Sequence, residues 1–240
     1  MSLIVTVYPQ EGIVMAGDSR LTITWNSQNG ETFNAECIPS SDSLNKIFCV
    51  HNKFGLGFCG SATLNGILLP SLINQFIEKR ITDKTTIDQI PELLMDFFGK
   101  DYDYPEIYFN VGGYKVEKSI SVPYVYSVSI AQKVISRKNY DGESLICGMT
   151  WNGQTGVLTR LLSTIQAKAT DDSWIDLPEI VFPWTLFTLQ DAIDFAKYAL
   201  RTTIDTMNFQ QVEKTVGGPI DILVLRPNET PLWINKKELH

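Results

Sequence analysis

The chain has 240 residues, of which 44% are hydrophobic and 20% charged, with a formal net charge of -7 at pH 7. This composition is typical of a globular protein with a sizeable core, so we expect one domain over residues 1–240, and its acidic balance disfavours nucleic acid and anionic membranes as partners. With no apolar run of about 18 residues and no charged, apolar leader, we expect a cytoplasmic protein that does not span a membrane.

The first 60 residues predict two β-hairpins with a loop between them. LIVTVY and IVMAG are runs of β-branched residues joined by a PQEG turn, and KIFCVH and FGLGFCG are joined by Asn52-Lys53. Residues 21–45 are rich in Asn, Ser, Thr and Pro and show no clear period. We therefore expect a long surface loop there, with room for a short hairpin.

Helical spacing begins at Ser61, and strands resume near residue 106. The apolar residues after Ser61 and the run DQIPELLMDFF predict two helices over residues 61–99, with Pro70 and Pro91 at kinks or in first turns. EIYFNVGGY, VPYVYSVSI and KVISRKN then predict strands. SLICGM leads into a short helix predicted near residues 153–166.

The last third of the chain predicts one long helix and two strands. After the polar linker ATDDSWIDLPEIVFPW, the run TLQDAIDFAKYALRTTIDTM has helical spacing, with Thr188 as its cap and Asp191 at the capping-box position. VGGPIDILVLR and PLWIN predict the closing strands. Runs of strands separated by runs of helices favour a layered α+β domain with antiparallel sheets.

The cysteines and histidines give no signal for a metal site. They are Cys37, Cys49, Cys59, Cys147, His51 and His240. No CxxC pair and no zinc-ligand spacing occurs among them. We expect free, buried thiols, and we expect no metal and no organic cofactor.

Three stretches in order, GIVMAGDSR, LNKIFCVHNKFGLGFCGSAT and VGGPIDILVL, resemble the proteasome β-subunit family, which includes the bacterial proteasome-like peptidase that works with an ATP-driven unfoldase. The resemblance covers nearly the whole chain and is strongest in residues 2–20, 44–65 and 187–234. It implies the N-terminal nucleophile (Ntn) hydrolase fold, a four-layer αββα sandwich with two stacked antiparallel sheets. It also implies a homo-oligomeric ring, a polypeptide substrate, and an ATP-driven unfoldase as a candidate partner.

The resemblance places the catalytic nucleophile on Ser2, by counting back from GIVMAGDSR without gaps. A serine hydroxyl needs a base, and a free α-amine has a reference pKa of about 7.7–8.0. Once Met1 is removed, Ser2 would supply both nucleophile and base. Serine is small enough in the second position to permit that removal.

Three further residues match the family's active site. Asp18 in AGDSR matches the carboxylate that pairs with the active-site lysine, and Lys46 matches that lysine. A cation near the N-terminal amine and hydroxyl lowers their pKa values and stabilises an oxyanion. Gly60 in FCGSAT matches the glycine whose N–H forms the oxyanion hole. We expect Arg20 to be structural, in an ion pair near the site.

The chain departs from the family at several positions. Ser2 replaces the family's threonine, and Met149 stands about where active members carry a serine, with Thr150 beside it. VFPWTLFT offers no aspartate where the family has one. The 21–45 loop is longer than in the family. We expect it to be a disordered or packing loop rather than a determinant of substrate access through Trp25 or Phe33.

These observations leave three functions open. The first is a threonine-peptidase-like endopeptidase with an N-terminal serine, which cleaves peptide bonds. The second is a non-catalytic, proteasome-like subunit that serves ring assembly or scaffolding. The third is a small-molecule amide hydrolase of the same superfamily, because the sequence does not distinguish a polypeptide substrate from a small amide.

Overall fold

The computed structural model describes residues 2–29, 32–178 and 180–238, except for the side chains of residues 24–37. The strands are β1 (Leu3–Tyr8), β2 (Ile13–Gly17), β3 (Leu21–Asn29), β4 (Thr32–Ser41), β5 (Ile47–Val50), β6 (Phe54–Gly60), β7 (Thr63–Leu64), β8 (Ile67–Leu68), β9 (Ile107–Glu117), β10 (Ile120–Ser129), β11 (Val134–Arg137), β12 (Gly148–Gly153), β13 (Gln166–Lys168), β14 (Trp174–Asp176), β15 (Asp221–Leu225) and β16 (Leu232–Asn235). The α-helices are α1 (Leu69–Arg80), α2 (Ile90–Leu94), α3 (Gly156–Leu162) and α4 (Leu189–Phe209), and α2 continues into a π-helical turn, Met95–Lys100.

Most strands belong to two five-stranded antiparallel sheets. The first sheet has the order β12-β1-β2-β15-β16, and the second sheet has the order β11-β10-β9-β6-β5. The remaining strands form two-stranded hairpins. The expected combination of helices with antiparallel sheets, and both predicted N-terminal hairpins, are confirmed.

Strand β1 is buried on both faces because its side chains alternate between two apolar clusters. Leu3, Val5 and Val7 pack in a cluster with α4, whereas Ile4 and Tyr8 pack in a cluster that also contains side chains of the second sheet. Alternate residues of a strand point to opposite faces, so a strand that is apolar at nearly every position must be covered on both sides. The apolar run LIVTVY therefore predicts that this strand is buried in the interior of the protein.

The helices pack on different sheets. Phe76 of α1 and Phe98 of the π-helical turn pack with Phe109 of the second sheet in one cluster. Ala196 and Leu200 of α4 pack with the first sheet in another cluster. Each sheet thus has a helix-covered face.

Strands β3 (Leu21–Asn29) and β4 (Thr32–Ser41) pair along most of the segment where we expected a surface loop with room for a short hairpin, so the expectation of a mainly irregular loop is wrong. β3 pairs with β4 from Leu21↔Ser41 to Asn29↔Thr32, in a two-stranded sheet of its own. A two-stranded ribbon needs backbone pairing but no buried face, which is why Asn and Ser are tolerated along it and why the sequence shows no apolar alternation. The side chains of Trp25 and Phe33 lie outside the described part of the chain.

The first predicted helix begins later than residue 61. Residues 63–68 form the small hairpin β7–β8, and α1 begins at Leu69 with Pro70 in its first turn. Asn65 and Gly66 both have positive φ, at 50° and 77°. This is the preferred two-residue turn of a β-hairpin, and it prevents the apolar residues around it from continuing a helix.

The predicted capping box of α4 is confirmed and offers a first test. The Asp191 N–H donates to Thr188 Oγ1 at 3.1 Å, and the Thr188 N–H donates to Asp191 Oδ2 at 2.9 Å. We expect Thr188→Ala to lower the free energy of unfolding by about 1 kcal/mol, because a helix-end N–H loses its acceptor. Urea denaturation followed by circular dichroism measures this change.

The matched control is Thr155→Ala. Thr155 is the N-cap residue of α3, but its side chain makes no capping hydrogen bond. We expect a clearly smaller loss for this variant, and equal losses would contradict the assignment of the effect to the capping box.

Candidate active site

Asp18 follows β2 directly, and its buried carboxylate accepts four hydrogen bonds. Oδ1 accepts from Lys46 Nζ at 2.8 Å and from the Leu3 N–H at 2.9 Å. Oδ2 accepts from the N–H groups of Arg20 and Gly217, both at 3.1 Å. A buried carboxylate is tolerated when its lone pairs are satisfied in this way. The predicted proximity of Asp18 and Lys46 is therefore present as a direct ion pair.

Lys46 is fully buried just before β5. Its ammonium donates to Asp18 and, at 2.7 Å, to the Arg20 carbonyl. Burial lowers the pKa of Lys46, because the charged form is desolvated, while the Asp18 carboxylate opposes this shift. The ammonium is thus held in one position by two acceptors.

Ser2 immediately precedes β1, and the next residue, Leu3, contacts the Asp18–Lys46 pair. It is 5% exposed, and its carbonyl accepts from the Gln154 N–H at 2.7 Å. The following residue, Leu3, is the one whose N–H binds Asp18. One peptide unit therefore connects Ser2 to the Asp18–Lys46 pair.

The alternation of β6 places the Gly60 N–H on the side of the strand that faces β5. Phe58 donates its N–H to the Lys46 carbonyl at 3.0 Å, whereas Ser61 donates on the opposite side to Glu106 at 2.9 Å. N–H groups alternate sides along a strand, so the Gly60 N–H lies on the same side as that of Phe58, beyond the start of β5. Gly60 has φ of 107°, which favours glycine.

Ser2 and Gly60 both line two cavities. The larger cavity, of about 470 Å³, is also lined by apolar residues that include Leu44, Phe58 and Leu68. The smaller cavity, of about 300 Å³, is also lined by Glu106, Tyr108, Asn152, Gly153 and Thr155. Both volumes are in the usual range for small-molecule or side-chain sites. Ser2 and Gly60 therefore stand at a junction between two cavities, each of which has a mixed polar and apolar lining.

Arg20 makes the ion pair expected of it. Its guanidinium donates to both carboxylate oxygens of Asp42, from Nε at 2.7 Å and from Nη2 at 2.8 Å. Nη1 donates to the Lys214 carbonyl at 3.2 Å. Arg20 also lines the larger cavity, so this structural pair forms part of its wall.

Met149 and Thr150 are not beside Ser2, and that part of the expectation is wrong. In the β1–β12 pair, Met149 lies opposite Val7 and Thr150 opposite Thr6, well inside the sheet. The part of this strand that reaches Ser2 is its end, at Gly153 and Gln154. Register in an antiparallel pair depends on both strands, which a count along one chain does not reveal.

The segment VFPWTLFT packs on α4. Its aromatic residues Phe182, Trp184 and Phe187 all contact Phe195. The sequence of this segment contains no aspartate. The packing on Phe195 explains why the segment is rich in aromatic residues.

A second buried ion pair near Asp18 was not anticipated. Lys237 Nζ contacts Asp221 Oδ2 and donates to Ser19 Oγ at 2.8 Å, and the Lys237 N–H donates to Asp221 Oδ1 at 2.8 Å. The charge of Lys237 also contributes to lowering the pKa of Lys46. A lysine close to the end of the chain carries no sequence signal for burial, so only the three-dimensional structure reveals this contact.

The thiols are only partly as expected. Cys59 is buried, and burial raises its pKa to about 12. Cys49 and Cys147 are half-buried, and all three are free. The side chain of Cys37 lies outside the described residues, as does His240, and His51 follows β5 in a turn.

The described residues contain neither a candidate metal centre nor a candidate membrane-spanning helix. Across residues 2–29, 32–178 and 180–238, His, Cys, Asp and Glu side chains form no group of three that is suited to a metal ion. No helix in these ranges is long and apolar enough to cross a membrane.

No protein-family model matches the chain, and no curated protein matches its sequence. The geometry around Ser2, Asp18, Lys46 and Gly60 is therefore the main support for a functional assignment.

Proposed function

We propose that the protein is an Ntn hydrolase, similar to the proteasome β-subunits, that cleaves peptide (amide) bonds with Ser2 as the nucleophile. The main support is the fully buried Asp18–Lys46 pair. Its carboxylate accepts a hydrogen bond from the N–H of Leu3, which is the residue after Ser2. A buried ion pair gives little net stability, because desolvation offsets the attraction. The pair is hydrogen-bonded to the main chain of Leu3, next to Ser2, and of Arg20, and both Ser2 and Arg20 line the larger cavity. We therefore attribute the pair to chemistry rather than to stability.

The arrangement of the sheets also supports the proposed four-layer αββα fold. One apolar cluster contains Ile4 and Leu223 of the first sheet together with Cys59 and Val125 of the second. The other two clusters join each sheet to its own helices. These contacts support the order helix, sheet, sheet, helix that we propose for the fold.

The proposed reaction is acyl transfer. After Met1 is removed, the Ser2 α-amine takes the hydroxyl proton while Oγ attacks the carbonyl carbon of the substrate. The Gly60 N–H binds the oxygen that becomes negative, and the Lys46 charge stabilises it at longer range. The C–N bond then breaks, the leaving amine takes the proton from the α-ammonium, and water hydrolyses the resulting ester.

The alternative is a non-catalytic ring or scaffold subunit. It is favoured by large apolar side chains that are exposed in the chain, including Trp174, Val181 and Leu186. Large contiguous apolar patches are usually covered by another molecule, and these three residues fall within one short segment of the chain, residues 174–186. Assembly into a homo-oligomeric ring would cover it in either function, and a catalytic ring could receive polypeptides from an ATP-driven unfoldase.

The deciding experiment is the intact mass of the purified chain before and after reaction with a peptidyl epoxyketone, which requires both an N-terminal hydroxyl and a free α-amine. We expect loss of Met1 and a single adduct. Ser2→Ala should lose Met1 but form no adduct. The control Ser129→Ala changes another buried serine and should react as the wild type does.

A retained Met1, or an adduct that persists in Ser2→Ala, would contradict the catalytic proposal and favour the scaffold function. If the adduct forms as expected, unfolded polypeptides and small amides can be compared as substrates. Cleavage of small amides alone would assign the small-molecule function.

A further inference from the structure

We propose that the side-chain carbonyl of Asn152 accepts a hydrogen bond from the Ser2 α-amine and so directs the lone pair of this base toward the Ser2 hydroxyl. This inference rests on the proposed hydrolase function and assigns a further catalytic residue to the same site. It is carried by the contacts of β12 with Ser2 and by a buried hydrogen-bond network that holds the Asn152 side chain.

The main chain at the end of β12 lies directly against the main chain of Ser2. The Gln154 N–H donates to the Ser2 carbonyl at 2.7 Å. A β-carbon at Gly153 would lie 1.9 Å from that carbonyl oxygen, so glycine is needed for this close approach. The N and O atoms of one residue in an antiparallel pair point to the same neighbouring strand, so the Ser2 α-amine also faces β12.

The side chains of Ser2 and Asn152 point to the same face of the first sheet. Asn152 lies opposite Ile4 in the β1–β12 pair, and opposite residues of such a pair share a face. Ile4 packs in the cluster that contains side chains of both sheets. Because Ser2 precedes Ile4 by two residues, its side chain points to that face as well. Ser2 and Asn152 are thus diagonal neighbours, and both line the smaller cavity.

Two hydrogen bonds to the second sheet hold the Asn152 side chain. Its Nδ2 donates to Asn110 Oδ1 at 2.6 Å and to Ser127 Oγ at 3.0 Å. Asn110 is fully buried, and its own Nδ2 donates to Thr6 Oγ1 at 3.0 Å. Both amide hydrogens of Asn152 are therefore used, and the network fixes the orientation of the amide.

The oxygen of the Asn152 amide is the group that this network leaves open. Across the described ranges no donor binds Asn152 Oδ1, and this atom is not enclosed in the interior. It is therefore accessible to a donor at the smaller cavity, where Ser2 also lies. A free α-amine has two N–H groups and one lone pair. When an N–H donates to Asn152, the lone pair has a defined direction, and the ammonium that forms during the attack keeps the same acceptor.

The test measures the rate of epoxyketone adduct formation at Ser2 as a function of pH, by intact mass. The wild-type rate should rise with pH as the α-amine loses its proton. Asn152→Asp places a negative charge beside the amine and favours the ammonium, so we expect the pH of half-maximal rate to rise by about one unit. Asn152→Leu is similar in size but removes the acceptor. For this variant we expect that pH to fall and the maximal rate to drop about tenfold.

The matched control is Asn52→Asp. Asn52 is exposed in the turn between β5 and β6, at the opposite end of β6 from Gly60. This variant adds the same charge far from Ser2, so the pH of half-maximal rate should stay at its wild-type value. Circular dichroism checks the folding of each variant. If Asn152→Asp does not fold, the fall expected for Asn152→Leu decides alone.

Shifts in opposite directions are specific to a contact with the amine, because a merely structural loss at β12 would slow both variants without separating their pH profiles. Unchanged profiles in the two Asn152 variants, or shifts in the same direction, would overturn the inference. An adduct in the wild type without these shifts rejects the role of Asn152 alone. Absence of the adduct in the wild type rejects the hydrolase and this role together.

Discussion

Lys46→Met is expected to lower the free energy of unfolding by about 3–5 kcal/mol and to abolish adduct formation at Ser2. The substitution leaves the Asp18 carboxylate buried with its backbone donors but without a cation. It also removes the charge that stabilises the oxyanion in the proposed reaction. Urea denaturation and the intact mass after epoxyketone treatment measure the two effects.

The control for this variant is Lys115→Met. Lys115 pairs with Asp88 at 2.7 Å, close to the Lys46–Asp18 distance, but the two side chains are 33% and 32% exposed. Water therefore replaces much of the lost contact, and we expect a far smaller change in stability and normal adduct formation. Similar stability losses for both lysines would show that burial does not determine the effect.

A double variant separates folding from chemistry. Adding Asp18→Asn to Lys46→Met removes the uncompensated charge and should recover part of the lost stability. It should not recover adduct formation, because the cation remains absent. Recovery of both properties would contradict a catalytic role for Lys46.

Gly60→Ala is the second substitution with a large expected effect. Gly60 has φ of 107°, and a β-carbon there would lie 2.2 Å from the Glu106 carbonyl oxygen, which is backbone and cannot move aside cheaply. Strain and overlap together are expected to lower the free energy of unfolding by about 3 kcal/mol or more. The displaced N–H should also slow adduct formation.

Gly142→Ala is a closely matched control. Gly142 has the same φ of 107°, but a β-carbon there would meet no atom within 4 Å. This variant isolates the backbone strain, for which we expect about 1 kcal/mol. Thermal and urea denaturation of the two variants measure the difference, and equal losses would show that the contact with Glu106 is unimportant.

The parts of the fold that the sequence predicts well are those whose signal is local. The β-branched run LIVTVY, the hairpin turn that contains Asn52-Lys53 and the capping box at Thr188 and Asp191 each lie within a few residues. Each is present in the structure, with His51 as a further residue of the turn. The hairpin around Asn65-Gly66 also had a local signal. It was missed because the apolar spacing on either side is compatible with a helix.

The features that the sequence could not reveal depend on contacts between distant segments. The register of β12 against β1 decides that Asn152 and Gly153, rather than Met149, lie at the smaller cavity. Among the candidate site residues, the Asp18–Lys46 contact was anticipated only through the family resemblance. The Asp18 carboxylate also accepts from the Gly217 N–H, which comes from a loop 199 residues further along the chain. The AGDSR turn motif around Asp18 does not predict this partner.

The contact of Lys237 with Asp221 and Ser19 has a consequence for synthesis of the protein. The turn at residues 18–20 is made early by the ribosome, yet Lys237, the side-chain partner of Ser19, is synthesised 218 residues later. Until then, Asp221 lacks this cation, and a buried carboxylate in that state is unfavourable. The surroundings of the Asp18–Lys46 pair are therefore completed only after residue 237 has emerged from the ribosome.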